Sequence, residues 1–465
     1  LEPGEVRDRL TEGIHLSQDP DEPAGRLDLA LEAVARAEPV ERILRQALAL
    51  SLERQTVRRV DRGQYPAPFA LIRHWRINGA SRHLLLDGEA RTVPALLLGE
   101  TARGLLRVFE LQERLKGLAD PGAPLPRRVH VFGAGVMGGD IAAWCALRGL
   151  QVTLEDVSIE ALGRAVQRAR NLFRERLKEG RLVQAAADGL IPDPRGGGLA
   201  SADLVIEATV EDLNAKQRLF QILETQAPGE ALLATNTSSI PLEQIGAGLN
   251  DPGRLIGLHF FNPVARMQLV EVVRGEHTHP ESLARGLAAV RALDRLPLPV
   301  QSSPGFLVNR VLMPYLLEAM DLLEEGIPAP LIDGAARGFG MPIGPLALAD
   351  AVGLDVCLAV AQRLGQALSP PEEAPARLRQ MVDAGRRGLK VGHGFYRYRQ
   401  GRPIPEQIPR GVRAPPDLGD RLLFRLLNAC VACLREGLVA DADLLDAGVL
   451  FGTGFAHHLG GLLYY

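Results

Sequence analysis

The spacing of apolar positions changes character along the chain, and each change predicts a different kind of element. Up to about residue 63 the period is helical, predicting helices over Asp28 to Arg36 and Val40 to Arg59. Amphipathic helices continue from Tyr65 to Pro126. The best runs from Leu96 to Leu118, with Leu98, Ala102, Leu105 and Phe109 on one stripe and Pro94 at its start. Pro121-Gly122-Ala123-Pro124 then breaks the chain. Between Arg127 and about Ser303, short β-branched runs such as Val129 to Phe132, Leu150 to Leu154 and Leu204 to Ile206 alternate with helical stretches, the pattern of a parallel sheet with crossover helices. Beyond Pro304 the pattern is wholly helical.

The helical part repeats weakly. Asn309-Arg310-Val-Leu-Met, followed by E-E-G ending at Gly326, recurs as Asp420-Arg421-Leu-Leu-Phe, followed by R-E-G ending at Gly437. I-D-G-A with G-P-L-A-L recurs loosely as L-D-A-G with G-G-L-L-Y. Two copies predict duplicated helical bundles packed on each other. Only the first opens on an amide: Asn309 can donate to an oxygen, whereas an ionised Asp420 cannot, so the first copy carries function and the second is structural.

Two segments carry candidate chemistry. In Leu255 to Val273, apolar runs flank Asn262-Pro263, and a strand-turn-strand centred near Ala265 sets His259 opposite Glu271. A neutral imidazole can take a proton from an alcohol near pH 7; a carboxylate on its other nitrogen fixes the tautomer and stabilises the imidazolium. Upstream, Val129 to Phe132 runs into Gly133-x-Gly135-x-x-Gly138 and then a helical stretch. There Gly133 permits a tight turn, Gly135 lets the backbone approach a pyrophosphate, and Gly138 lets the helix pack on the strand. The helix N-terminus offers partial positive charge to phosphates. The next strand ends in Glu155-Asp156, where an acid is expected on the ribose; alternation from Val152 and Leu154 favours Asp156, and an acid there selects NAD over NADP.

Composition adds four points. A net charge of -3 gives no nucleic-acid footprint. The four cysteines stand in apolar surroundings and read as reduced, with Cys430-x-x-Cys433 on a core face. The uncharged run from Gly448 is too rich in glycine and histidine for a membrane helix, so a cytoplasmic protein is expected. Lysine has nearly vanished in favour of arginine. Lys116 and Lys178 lie on solvated helical faces, while Lys216 and Lys390 sit near turns where a compact ammonium, which arginine cannot imitate, is expected.

These motifs resemble the 3-hydroxyacyl-CoA dehydrogenase part of multifunctional β-oxidation α-subunits. The resemblance rests on G-A-G-V-M-G (133 to 138), V-I-E-A-T-V-E-D (205 to 212), N-T-S-S (236 to 239), H-F-F-N-P (259 to 263), L-V-E-V-V (269 to 273), S-P-G-F-L-V-N-R (303 to 310), M-P-I-G-P (341 to 345) and G-H-G-F-Y (392 to 396). It implies an α/β plus all-α fold: a helical remnant of an upstream crotonase-type domain (1–63), a helical linker (64–125), a Rossmann-like NAD-binding domain (126–303), a first helical domain (304–411), and a second, degenerate and truncated helical repeat (412–465). It implies His259 as base with Glu271 as its partner, Ser238 and Asn309 on the substrate, and Met137, Asp156, Glu211, Lys216, Asn262 and Lys390 beside Gly133, Gly135 and Gly138 in the NAD site. It also implies an (S)-3-hydroxyacyl-CoA substrate, no metal, and a thiolase subunit or homo-oligomer as partner. With almost all of the hydratase absent, the chain is expected to dehydrogenate without hydrating. Two departures stand out: Asp140 replaces a small or neutral residue near the pyrophosphate, and Ala265-Arg266 replaces Pro-Val after the histidine.

Two rival readings differ in class. A β-hydroxyacid dehydrogenase that does not use CoA calls for a lysine base, and no lysine lies between 259 and 310. A non-catalytic scaffold of a β-oxidation complex finds its support in Asp140.

Overall fold

The computed structural model describes residues 40–57, 60–79, 81–367, 373–404, 408 and 411–465; the helix expected over Asp28 to Arg36 lies outside them. The chain forms two compact units, 1–105 and 106–465. In the first, α1 (Val40–Val57), α2 (Ala67–Asn78) and α3 (Arg82–Leu97) bury Ala49 and Phe69. The long helix predicted from Leu96 is shorter: α4 spans Glu100–Gly117, and Pro94 lies inside α3 rather than at its start. The break falls at Leu98-Gly99. The expected stripe is also displaced. Leu98, Leu105 and Phe109 are exposed, and α4 buries Val108, Leu111 and Leu115, which recur at the helical period one step round.

The second unit is built on an eight-stranded sheet ordered β3-β2-β1-β4-β5-β6-β7-β8. Its strands are β1 (Arg128–Phe132), β2 (Gln151–Glu155), β3 (Leu190–Pro192), β4 (Leu204–Glu207), β5 (Leu232–Thr235), β6 (Leu255–Phe260), β7 (Leu269–Arg274) and β8 (Leu296–Gln301). The order 3-2-1-4-5-6 through the parallel strands is that of dinucleotide-binding sheets, and the direction of winding reverses between β1 and β4. The sheet is not wholly parallel, because β6 and β7 form the hairpin read from the sequence. Its helices include α5 (Val136–Leu147), α6 (Ile159–Arg176), α7 (Gly180–Asp188), α8 (Leu213–Gln226), α9 (Leu242–Gly246) and α10 (Pro280–Ala292). Strands β4, β5 and β6 are buried along their whole length, which suits their apolar runs and isolates the polar side chains of Glu207 and His259 within them.

The helical part comprises α11 (Val308–Glu324), α12 (Ala329–Gly338), α13 (Pro345–Val352), α14 (Leu354–Ala367), α15 (Ala376–Asp383), α16 (Leu418–Arg435) and α17 (Ala442–Thr453). Its sequence repeat is a spatial one. Arg310 on α11 holds Glu436, at the end of α16, through two bonds of 2.5 and 3.0 Å. Arg421 on α16 holds Glu325, at the end of α11, through two bonds of 2.7 Å. Each arginine thus pairs with the glutamate of the other copy, so the two copies face one another about a local two-fold axis. Asp333 accepts the amides of Leu346 and Ala347, and Asp446 those of Leu463 and Tyr464, a second matched pair. Cys430 and Cys433 are buried in this core as free thiols. Among the described residues no single helix is long and apolar enough to cross a membrane.

Candidate active site

The β6–β7 hairpin pairs His259 with Glu271 directly, as strand partners about the turn at 265. His259 Nδ1 and Glu271 Oε2 are 2.6 Å apart, with relative exposures of 5% and 0%. A carboxylate there requires the proton on Nδ1 and leaves the lone pair on Nε2, which has no hydrogen-bond partner among the described residues. The second carboxylate oxygen, Oε1, accepts the amides of Leu307 and Val308 at 2.9 and 3.0 Å, at the first turn of α11. The anion therefore sits on a helix N-terminus, where the partial positive charge favours it.

The turn that aims these amides has two consecutive residues in the left-handed region, Gly305 (φ 75) and Phe306 (φ 50). A positive φ is uncommon for a non-glycine residue, and here burial holds it: Phe306 is wholly buried with its ring 5.7 Å from that of His259. Phe261 lies on the imidazole as well, at 4.5 Å between centroids. The two rings confine the histidine.

The loop after β5 approaches from the other side. Asn236 Oδ1 accepts the amide of Phe260, next to His259, at 2.9 Å, and Asn309 Nδ2 donates to the carbonyl of Ser238 at 3.0 Å. Glu211 organises that loop: its Oε1 accepts from Thr237 Oγ1, the amide and Oγ of Ser238, and Ser239 Oγ, all within 3.2 Å. Burial pushes the Glu211 carboxyl up, but Lys216 and these donors outweigh it and hold it below the ordinary range. His259, Glu271, Ser238, Asn309 and Glu211 thus form one assembly.

The glycine loop has the geometry a pyrophosphate requires. Gly133 has φ 104, and a Cβ on Gly138 would lie 1.9 Å from the Gly133 carbonyl, so the turn and the close packing of α5 both need glycine. A Cβ on Gly135 would meet no protein atom within 4 Å, although it begins α5; that space is open to a ligand. Met137 is half-buried against the core of the sheet. Asp156 follows β2, and its Oδ2 accepts the amide of Ala134 within the loop at 2.6 Å. Its neighbour Glu155 is turned to His130, 3.0 Å away, which leaves Asp156 as the acid at the loop. These residues fit NAD.

Three further residues expected at the cofactor have these settings. Lys216 is 1% exposed, with Nζ 2.7 and 2.9 Å from the oxygens of buried Glu207 and 3.5 Å from Glu211, so its ammonium is held between two carboxylates. Lys390 belongs to the helical part, paired with Asp355 at the start of α14, and no contact brings it to the glycine loop. Asn262 is exposed in the hairpin turn. The two sequence departures also find partners. Asp140 pairs with Arg168, and the Ala265 carbonyl accepts from Arg176 at 3.0 Å.

Glu207, Asn236, Phe306 and the Leu307 and Val308 amides escaped the sequence reading. A lone acid within the buried run V-I-E-A was a signal for Glu207. The backbone donors left none, because an amide carries no residue type.

Family comparisons agree with this geometry. Residues 128–303 match the model of the 3-hydroxyacyl-CoA dehydrogenase NAD-binding domain, and 305–398 that of the 3-hydroxyacyl-CoA dehydrogenase C-terminal domain. Residues 1–61 match the C-terminal, bacterial-type model of acyl-CoA dehydrogenases, a different family from the crotonase-type domain expected there. A fatty acid oxidation complex subunit alpha from Shewanella amazonensis is 32% identical over 471 residues, covering 94% of this chain and 66% of that protein. This chain therefore spans just under two thirds of that relative's length. Among solved structures, 3-hydroxybutyryl-CoA dehydrogenase from Escherichia coli K12 is 30% identical, with a TM-score of 0.63, covering 71% of this chain and 89% of its own. (S)-3-hydroxybutyryl-CoA dehydrogenase from Ralstonia eutropha is 36% identical, with a TM-score of 0.56, covering 59% and 100%. With its dyad, its glycine loop and its paired domains, the chain belongs to the 3-hydroxyacyl-CoA dehydrogenase family.

Proposed function

We propose that this protein oxidises the 3-hydroxyl of (S)-3-hydroxyacyl-CoA thioesters to 3-oxoacyl-CoA with NAD, a step of fatty-acid β-oxidation. The observation that carries the reading is the His259–Glu271 pair seated on the first amides of α11. NAD supplies the hydride acceptor. His259 Nε2 takes the hydroxyl proton as carbon 3 gives up its hydride, and Glu271 stabilises the imidazolium from Nδ1. Asn309 and Ser238 hold the substrate oxygen and thioester region beside the imidazole, and Glu211 with Lys216 fixes the loop that carries Ser238. The glycine loop and Asp156 hold the pyrophosphate and ribose, with NAD preferred over NADP. In the reverse direction the imidazolium returns its proton to the 3-oxygen.

A 3-oxoacyl-CoA product calls for thiolytic cleavage, so a thiolase subunit is a fitting partner in a cytoplasmic complex; the Shewanella relative's name, which makes it one subunit of a fatty acid oxidation complex, supports the idea of a complex. The test is loss of nicotinamide absorbance when acetoacetyl-CoA is added to protein and NADH. Rapid loss with the thioester and little with free acetoacetate or with NADPH is expected. Equal rates with acetoacetate point to a β-hydroxyacid dehydrogenase, and no loss at all to a scaffold.

A further inference from the structure

Early in α5, Asp140 forms a charged pair that the glycine fingerprint does not call for. Asp140 Oδ1 lies 3.3 Å from Arg168 Nε, and Arg168 reaches across from α6 to donate through NH2 to the Gly135 carbonyl at 2.9 Å. The two helices are close here: a Cβ on Gly139 would stand 2.8 Å from the Cβ of Ala165 on α6, so glycine at this position lets α6, and Arg168 with it, lie against α5. The arginine is not sealed off. Its side chain remains 38% exposed, and NH1 has no partner among the described residues. Burial raises the Asp140 carboxyl and Arg168 opposes the rise, so an unpaired Asp140 would place an ill-solvated carboxylate beside the open space at Gly135.

We propose that Arg168 is a cofactor-binding residue: Asp140 and the Gly135 carbonyl hold its guanidinium at the start of α5, where its free N–H groups meet the pyrophosphate of NAD. The proposal rests on the reading of the site as a 3-hydroxyacyl-CoA dehydrogenase. A planar guanidinium can bond a carboxylate, a carbonyl and a phosphate at once, which an ammonium cannot do with the same fixed geometry. Asp140 is then the group that orients the arginine, and the departure at that position is one half of a matched pair.

The test is NADH binding, read by fluorescence titration of the whole chain, with thermal midpoints to verify folding. Arg168→Gln should weaken binding about 10- to 100-fold, the usual worth of a charge-assisted bond, and should flatten the salt dependence. Asp140→Asn, which loosens the arginine without removing it, should weaken binding less than Arg168→Gln does, and the double variant should be as weak as Arg168→Gln. Should Arg168→Gln be unfolded, Arg168→Lys reads the same point: retained charge without the fork should give intermediate binding. Wild-type affinity in the Gln or Lys variant overturns the proposal. So does wild-type affinity in the double variant, since the arginine then only neutralises Asp140. Failure of the wild-type chain to bind NADH removes the dehydrogenase reading itself, a separate outcome.

Discussion

Glu271 holds His259 with one carboxylate oxygen and the first turn of α11 with the other. The base of the sheet domain is thereby oriented by a residue whose own charge is supported by the helical domain. A side-chain amide cannot serve both sides. In a Glu271→Gln variant, turning the amide oxygen to the helix would leave the NH2 facing Nδ1, force the proton onto Nε2 and remove the base; the opposite flip would set the NH2 against two buried N–H groups. The substitution is therefore expected to lower turnover by about 100-fold or more while NADH binding stays near normal. Steady-state rates alongside NADH titration check this, and unchanged turnover would leave Glu271 a structural partner only.

Gly135 and Gly138 separate folding from binding. Gly138→Ala drives a Cβ to 1.9 Å from the Gly133 carbonyl and should destabilise the protein. Gly135→Ala meets no protein atom within 4 Å outside its own chain neighbours, and its φ of -60 lies outside the left-handed region, so the thermal midpoint should hold. NADH affinity should nevertheless fall at least about tenfold, because the methyl group enters the space left for the pyrophosphate. Intact NADH affinity in Gly135→Ala would show that this space is not the phosphate site.

Glu211 gives a pH signature. Its carboxyl is held below the ordinary value of 4.5, with burial opposing and Lys216, Thr237, Ser238 and Ser239 prevailing. The ionised group thus contributes stability in full above pH 4.5, and that contribution drains away as the pH falls through the lower folded value. Thermal midpoints of the wild type should exceed those of Glu211→Gln near neutrality, and the gap should close below pH 4.5. A gap independent of pH would indicate lost packing rather than lost charge.

The parts of this site that residue types encode were legible in the sequence. A hairpin symmetric about Ala265 fixed His259 against Glu271, and the glycine spacing fixed the cofactor loop, because period and backbone permissiveness leave marks on composition. The two-fold relation of the helical copies was legible as a repeat, but not the exchange of glutamates between Arg310 and Arg421, which depends on how α11 and α16 pack. The scarcity of lysine singled out Lys216 correctly as unusual. Its burial was not legible, because sequence shows a charge near a turn but not that Glu207, nine residues earlier, waits beneath it. The displaced stripe on α4 has the same origin: Leu98 and Phe109 are as apolar as Leu111 and Leu115, and only the packing partners choose between the faces.

His259 takes and returns the proton, which single-turnover oxidation of bound NADH tests, after rapid mixing with acetoacetyl-CoA and with wild type compared with His259→Ala at matched saturation. The variant should bind NADH as the wild type does and turn it over about two to four orders of magnitude more slowly, the usual share of a general acid-base group. A His259→Ala chain that oxidises NADH within about threefold of the wild-type rate would contradict it, since the proton would then come from another group.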